Sequence, residues 1–140
     1  MNGVEDQVDL KERYESSPLW DLIGIKIDSL ESNQAKLRLP VTKSLLNGNQ
    51  MLHGGIYSTL LDAAMGINFK LRVGDVKFAT ISLTTQYLKA VNEGETLFAT
   101  AEIIQQGKSI ASIEARIVND RDELVSIGLA TFKINTRSRS

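Results

Sequence analysis

The sequence predicts an α+β domain in which an antiparallel sheet of about six strands wraps around one long central α-helix. Three observations lead there. Two short alternating apolar runs precede residue 41; an apolar segment from His53 to about Arg72 is too long and too continuous for a strand; and four further extended runs follow, joined by brief polar turns. At 140 residues the chain fits one domain with a real core and has no room for two.

The elements can be justified in order. Glu5 to Ser16 reads as a short polar helix, weakly amphipathic through Leu10 and Tyr14, and Ser17-Pro18 stops it because proline disfavours helix in the residue before it. Residues 1–18 are therefore expected to form an N-terminal helix or flap. From Leu22 to Leu30 the residues Ile23, Ile25 and Ile27 alternate, Ser32-Asn33 turns, and Ala35, Leu37 and Leu39 alternate again before Pro40, which predicts a β-hairpin. The long helix carries Leu60, Leu61, Ala63, Ala64, Met65 and Ile67 around nearly its whole circumference, so a sheet must wrap it. Gly74-Asp75 ends it. Strands are then expected at Phe78 to Leu88, Thr96 to Gln105, Ile110 to Val118 and Leu124 to Ile134. Turns at Asn92-Glu93-Gly94, Gln106-Gly107-Lys108 and Asn119-Asp120-Arg121 join them into a meander. Residues 19–135 make the single domain, and the tail 136–140 is expected to be flexible.

Composition excludes several classes of function. A net charge of −1 offers no broad basic surface, so no nucleic-acid partner is expected. The acidic start has neither the basic end nor the apolar run of a secretory signal, and no segment has the length of a membrane span. Neither a membrane partner nor export is expected, which makes the cytoplasm the expected location. With no cysteine and one histidine, disulfides, thiol catalysis and a cysteine- or histidine-rich metal site are excluded. No metal is expected.

One residue resists this bland reading. Asp62 stands among leucines and alanines in the middle of the central helix. Burying a carboxylate there costs several kcal/mol unless it is paired, hydrogen-bonded or kept neutral. Something must offset that cost.

The order of elements, with His53-Gly54-Gly55 opening the helix and an acid nine residues after the histidine, resembles the hotdog-fold acyl-CoA thioesterases, in the branch of the phenylacetate-pathway and 4-hydroxybenzoyl-CoA enzymes. The matching pieces are Asn47, the HGG run, Asp62 within YSTLLDAAMG, the strand ATISLTTQYLKAV from Ala79 and the turn QQGKS from Gln105, together covering about Leu22 to Ile134. One position departs. The family often has glycine three residues before the histidine, where this chain has Gln50, and a bulkier loop there would reshape the mouth of the acyl pocket.

The resemblance implies a hotdog fold and hydrolysis of an aryl- or medium-chain acyl-CoA to free acid and coenzyme A, with no cofactor, coenzyme A being part of the substrate. It implies the Gly54 backbone N–H as oxyanion donor, Asn47 as a positioning amide, His53 as a loop-holding residue, Asp62 as nucleophile or general base, and Thr80 as a hydroxyl partner of the carboxylate or the water. Gly55, Tyr87, Gln106, Gly107, Lys108 and Ser109 are implied substrate contacts, the last four at the pantetheine or phosphates of coenzyme A. Physically, an unpartnered N–H at the positive end of a helix dipole suits a developing oxyanion. Helix geometry adds a demand of its own. Gly54 and Asp62 are eight residues apart, about 12 Å along one helix at about 1.5 Å per residue, so they cannot serve one thioester from one chain. A homodimer or a dimer of dimers is expected, with Asp62 facing a cleft between subunits. Tyr57, Ser58, Leu61, Met65 and Phe69 are the candidates to line the acyl pocket.

Two other functions compete. A non-catalytic acyl-CoA-binding hotdog module, a sensor, would keep the pocket without turnover. A hydratase would need a histidine facing the helix, and the only one here opens it.

Overall fold

A computed structural model of the chain describes residues 4–135; the expected flexible tail and the first three residues of the expected flap lie outside them. Helices α1 (Val4–Glu15) and α2 (Pro18–Ile23) lead into the hairpin β1 (Lys26–Glu31) and β2 (Gln34–Pro40). The central helix α3 (Gly54–Val73) precedes β3 (Lys77–Tyr87), β4 (Thr96–Gln106), β5 (Ile110–Val118) and β6 (Leu124–Asn135). All six strands form one antiparallel sheet in the order β1-β2-β4-β5-β6-β3, curled around α3. The four-stranded meander expected after the helix is corrected: only β4, β5 and β6 are consecutive neighbours, while β3 crosses to the far edge beside β6 and β4 pairs with β2. This is the hotdog architecture.

The start of the domain differs from expectation. Leu22 and Ile23 belong to α2, not to a strand, and β1 begins only at Lys26. The reason is local. Pro18 supplies the φ of a first helical turn, Trp20 buries its ring against Tyr14 with centroids 5.3 Å apart, and Gly24 at φ 100° ends the helix in a left-handed turn. Leu10 of α1 joins the same core, and the Glu15 carboxylate accepts the Ile27 N–H at 2.7 Å on the edge strand β1. Ser32 and Asn33, at φ 53° and 59°, make the tight hairpin turn.

The core sits between α3 and the concave face of the sheet. Ala111, Ile113, Ala115 and Ile117 of β5 all point inward, as their alternation requires. Phe69 packs edge-on against Phe78 and Phe132, with centroids at 4.9 and 5.4 Å. Gly128 lets the helix approach β6: a Cβ there would lie 3.2 Å from Leu61 Cδ1 and 3.3 Å from Met65 Cε. Leu61, Met65 and Phe69 are thus fully buried core residues, and the expectation that they line an acyl pocket is corrected.

One stripe of α3 is not covered by the sheet. Gly55, Ser58, Thr59, Asp62, Ala63 and Gly66 are exposed or half-buried there, so Asp62 is not sunk in the core as its neighbours in sequence suggest. Beside this stripe lies β3, the second edge strand, 11 residues long, with Ile81 55% exposed.

Candidate functional site

The loop before α3 is tied down by its own backbone chemistry. Asn47 Oδ1 accepts the N–H groups of Asn49 and Met51 at 2.8 and 3.2 Å, and the Asn47 N–H donates to the Met51 carbonyl at 2.7 Å. This leaves the Asn47 amide nitrogen for a further partner. Gln50 closes the turn at φ 63°, a left-handed conformation that glycine adopts without strain. The departure noted in the sequence therefore falls on a position whose backbone calls for glycine. Hydrogen bonds from Leu52 N–H to the Val91 carbonyl and from His53 N–H to the Leu45 carbonyl hold the loop's end.

His53 is the residue that caps α3. Its Nδ1 accepts the Gly55 N–H at 3.2 Å, and its carbonyl accepts the Ile56 N–H at 2.9 Å. These bonds sort the donors of the first turn. Gly55 and Ile56 are engaged, while the Gly54 N–H has no acceptor among the described residues. It points from the positive end of a 20-residue helix.

Two turns further along α3, Asp62 meets β3. The Thr80 hydroxyl donates to Asp62 Oδ1 at 2.8 Å, which orients the carboxylate and leaves its second oxygen without a partner among the described residues. Both residues are open to solvent in the single chain. Asp62 and Gly54 remain on one rigid helix, about 12 Å apart along its axis.

Tyr87, at the far end of β3, closes on the helix start. A Cβ on Gly54 would lie 3.3 Å from the Tyr87 ring, and the Tyr87 hydroxyl is 3.0 Å from Ser58 Oγ. The ring leans on Tyr57 with centroids 4.9 Å apart, and the buried Tyr57 donates its hydroxyl proton to the Lys89 carbonyl at 3.1 Å. Burial, and then the Glu95 charge, push the Tyr57 phenol up; hydrogen bonds from Ser58 and then Thr85 hold the Tyr87 phenol below its usual range. An open groove of about 330 Å³ runs past these groups, lined by Asn47, Met51, Gly54, Tyr57, Tyr87 and Lys89 among others.

The expected coenzyme A contacts lie elsewhere. Gln106, Gly107, Lys108 and Ser109 are at the exposed β4–β5 turn, beside the C-terminal end of α3, where Arg72 reaches Gln106 Oε1 at 3.5 Å. Within one chain, then, Asn47, His53, Gly54, Gly55 and Tyr87 cluster at the start of α3, Asp62 and Thr80 at its middle, and the turn at its end. Ser58 had been considered only as a pocket-lining residue. Its place four residues from both Gly54 and Asp62 puts it on their helical face, a periodicity readable in the sequence. Met51, Leu88 and Lys89 at the groove had no such signal, because only the tertiary fold carries their loops to α3.

Comparison with known proteins bears on the family and the fold. Residues 49–126 match the model of the thioesterase superfamily. The acyl-coenzyme A thioesterase PaaI of Escherichia coli is 30% identical over 114 residues, covering 81% of this chain and 80% of that protein. A 1,4-dihydroxy-2-naphthoyl-CoA hydrolase of Listeria monocytogenes is 28% identical over 86% of this chain and 98% of its own length. Among solved structures, the Escherichia coli PaaI protein from the phenylacetic acid degradation operon superposes with a TM-score of 0.81 at 27% identity, over 89% of this chain and 88% of that one.

Proposed function

The chain belongs to the thioesterase superfamily and is a thioester hydrolase, and from that premise we propose that it cleaves an aryl- or medium-chain acyl-CoA at a site shared between two subunits. The observation that carries this reading is the split along α3. A carboxylate oriented by Thr80 and an unpartnered Gly54 N–H face the uncovered side of one helix, too far apart to act together. An oxyanion donor works at about 2.7–3.1 Å, and a base within about 2.6–3.2 Å of the proton it takes.

A two-fold partner resolves the distance. Reciprocal pairing of Gly54 with the other chain's Asp62 sets the two helices antiparallel, with the axis passing near Ser58, midway between them. The uncovered stripe of α3, with small residues at Gly55, Ala63 and Gly66, and the exposed edge of β3 are the surfaces such a partner would cover.

In the shared site the thioester oxygen accepts the Gly54 N–H, and the Asn47 amide nitrogen positions the carbonyl or a water. Asp62 then either attacks the carbonyl carbon, giving an anhydride that water hydrolyses, or takes a proton from an attacking water. In both routes the carbon–sulfur bond breaks, the thiolate leaves and is protonated, and the free acid remains. No metal or added cofactor enters these steps. The exposed cation of Lys108 at the β4–β5 turn suits the phosphates of coenzyme A. The similarity to a 1,4-dihydroxy-2-naphthoyl-CoA hydrolase and to a phenylacetate-operon protein favours an aryl acyl group.

The test is a panel of acyl-CoAs assayed by release of free thiol. The chain has no cysteine, so the reagent reports coenzyme A alone. Turnover without added metal is expected, and Asp62→Asn should lower kcat by about 100-fold with binding retained. Activity lost to a chelator and restored by a metal would contradict the metal-free route. Tight binding with no turnover of any thioester would favour the sensor.

A further inference from the structure

The Tyr87 hydroxyl has no task in the reaction as described so far. We propose that it is a second donor to the thioester oxygen, beside the Gly54 N–H, and that Ser58 positions it. The inference rests on the shared-site reading. It requires one of the two directions open to the 3.0 Å Ser58–Tyr87 hydrogen bond: with Ser58 donating its O–H to Tyr87 Oη, the phenolic proton is left for the substrate oxygen.

Distances carry the argument. Tyr87 Oη lies 3.6 Å from the point where a Gly54 Cβ would stand. Standard backbone dimensions then put it within about 6 Å of the Gly54 nitrogen. Two donors that share one acceptor oxygen stand about 4–6 Å apart, so this separation allows both to bond one oxygen. Ser58 sits one turn from Gly54 on the same helical face, so its bond to Tyr87 holds the phenol beside the start of α3.

The ring is also held in place. Although Tyr87 is 51% exposed, Tyr57 backs it on one side and Ser58 fixes its tip. The bonds that acidify the Tyr87 phenol make it a stronger donor to developing negative charge. The titratable and charged groups around it are Tyr57 and the cap His53 at the start of α3, the Lys89 cation paired with Glu123 at 3.6 Å on the groove's rim, Glu95 beyond Tyr57 and, in the shared site, the partner's Asp62.

Tyr87→Phe tests the assignment, since it removes one oxygen and keeps the ring. The expected result is a fall in kcat of about 100-fold, the scale for one oxyanion donor, with KM within about threefold. Binding of a thioether analogue, in which a methylene replaces the carbonyl, should not change. In the wild type, kcat should fall as rising pH ionises the phenol, and this alkaline limb should be missing from Tyr87→Phe. Ser58→Ala should show a smaller loss of kcat with the same unchanged analogue binding. A Tyr87→Phe enzyme with wild-type kcat overturns the proposal, as does a kcat loss matched by an equal loss of analogue binding, which would mean a displaced groove. Asp62→Asn measured alongside separates the two readings. Full turnover in that variant sinks the shared site itself, whereas an inactive Asp62→Asn with a fully active Tyr87→Phe sinks only the role of the tyrosine.

Discussion

Replacing Gly54 by proline and mixing the product with Asp62→Asn tests the shared site directly. Proline deletes the Gly54 N–H and keeps the φ of a first helical turn. The residue before it is already suitable: His53 has φ −65° and ψ 135°, the extended region that proline demands of its predecessor. The added ring atoms press on Tyr87, whose ring carbon is 3.3 Å from the new Cβ, and this half-exposed side chain can yield by a few tenths of an ångström. Each variant alone should lose about 100-fold or more in kcat, since each of its two sites lacks a donor or a base. Unfolded together in equal amounts and refolded, half the dimers are hybrids. In a hybrid, one site carries both lesions and the other carries neither. Activity should return to about one quarter of wild type if the sites act independently. Were Gly54 and Asp62 to act within one chain, every chain in the mixture would hold a lesion and nothing would return. Thiol release measures the outcome, and two different affinity tags verify that hybrids formed. Hybrids without activity would refute the 12 Å argument and the antiparallel pairing built on it.

Three further outcomes follow from local chemistry. Asp62→Asn should leave the melting temperature essentially unchanged, because asparagine Oδ1 can still accept the Thr80 hydroxyl; a large fall on thermal unfolding would make Asp62 a structural acid. Asn68→Ala should cost about 2–4 kcal/mol in urea denaturation, since it orphans the Ala35 N–H and carbonyl, which the buried amide bonds at 2.8 and 3.0 Å. Gln50→Gly should stabilise the fold by about 0.5–1 kcal/mol, a rise of a few degrees in Tm, by removing a left-handed glutamine; an unchanged or lower Tm would mean the loop carries no such strain.

Periodicity and end chemistry encode the local part of this fold. The alternation in β5, the uninterrupted apolar helix and the turns between strands were sufficient for the six strands and the central helix, because each is a local pattern with one favourable burial, but not for the sheet order, in which β3 pairs with β6 and not with β4. His53 as a helix-start residue was legible for the same reason, since a cap bonds its own neighbours. The eight-residue interval from Gly54 to Asp62 was enough to separate donor from acid, because a helix has a fixed rise. Where two local patterns competed, the sequence misled: the spacing of Ile23, Ile25 and Ile27 read as a strand, but proline and a buried tryptophan made α2 instead.

The tertiary structure decided which face of each element stays open. Asp62 looked buried because its neighbours are apolar, yet the sheet stops short of its stripe, while Leu61, one residue before it, and Met65, three after, fill the core. The partner of Asp62 is 18 residues away on β3, and Tyr87 reaches Ser58 from 29 residues away. Contacts over such separations depend on how the edge strand curls past the helix. No local period records them, since the free energy that selects the curl is the burial of the whole core and not any property of the residues that meet at its rim.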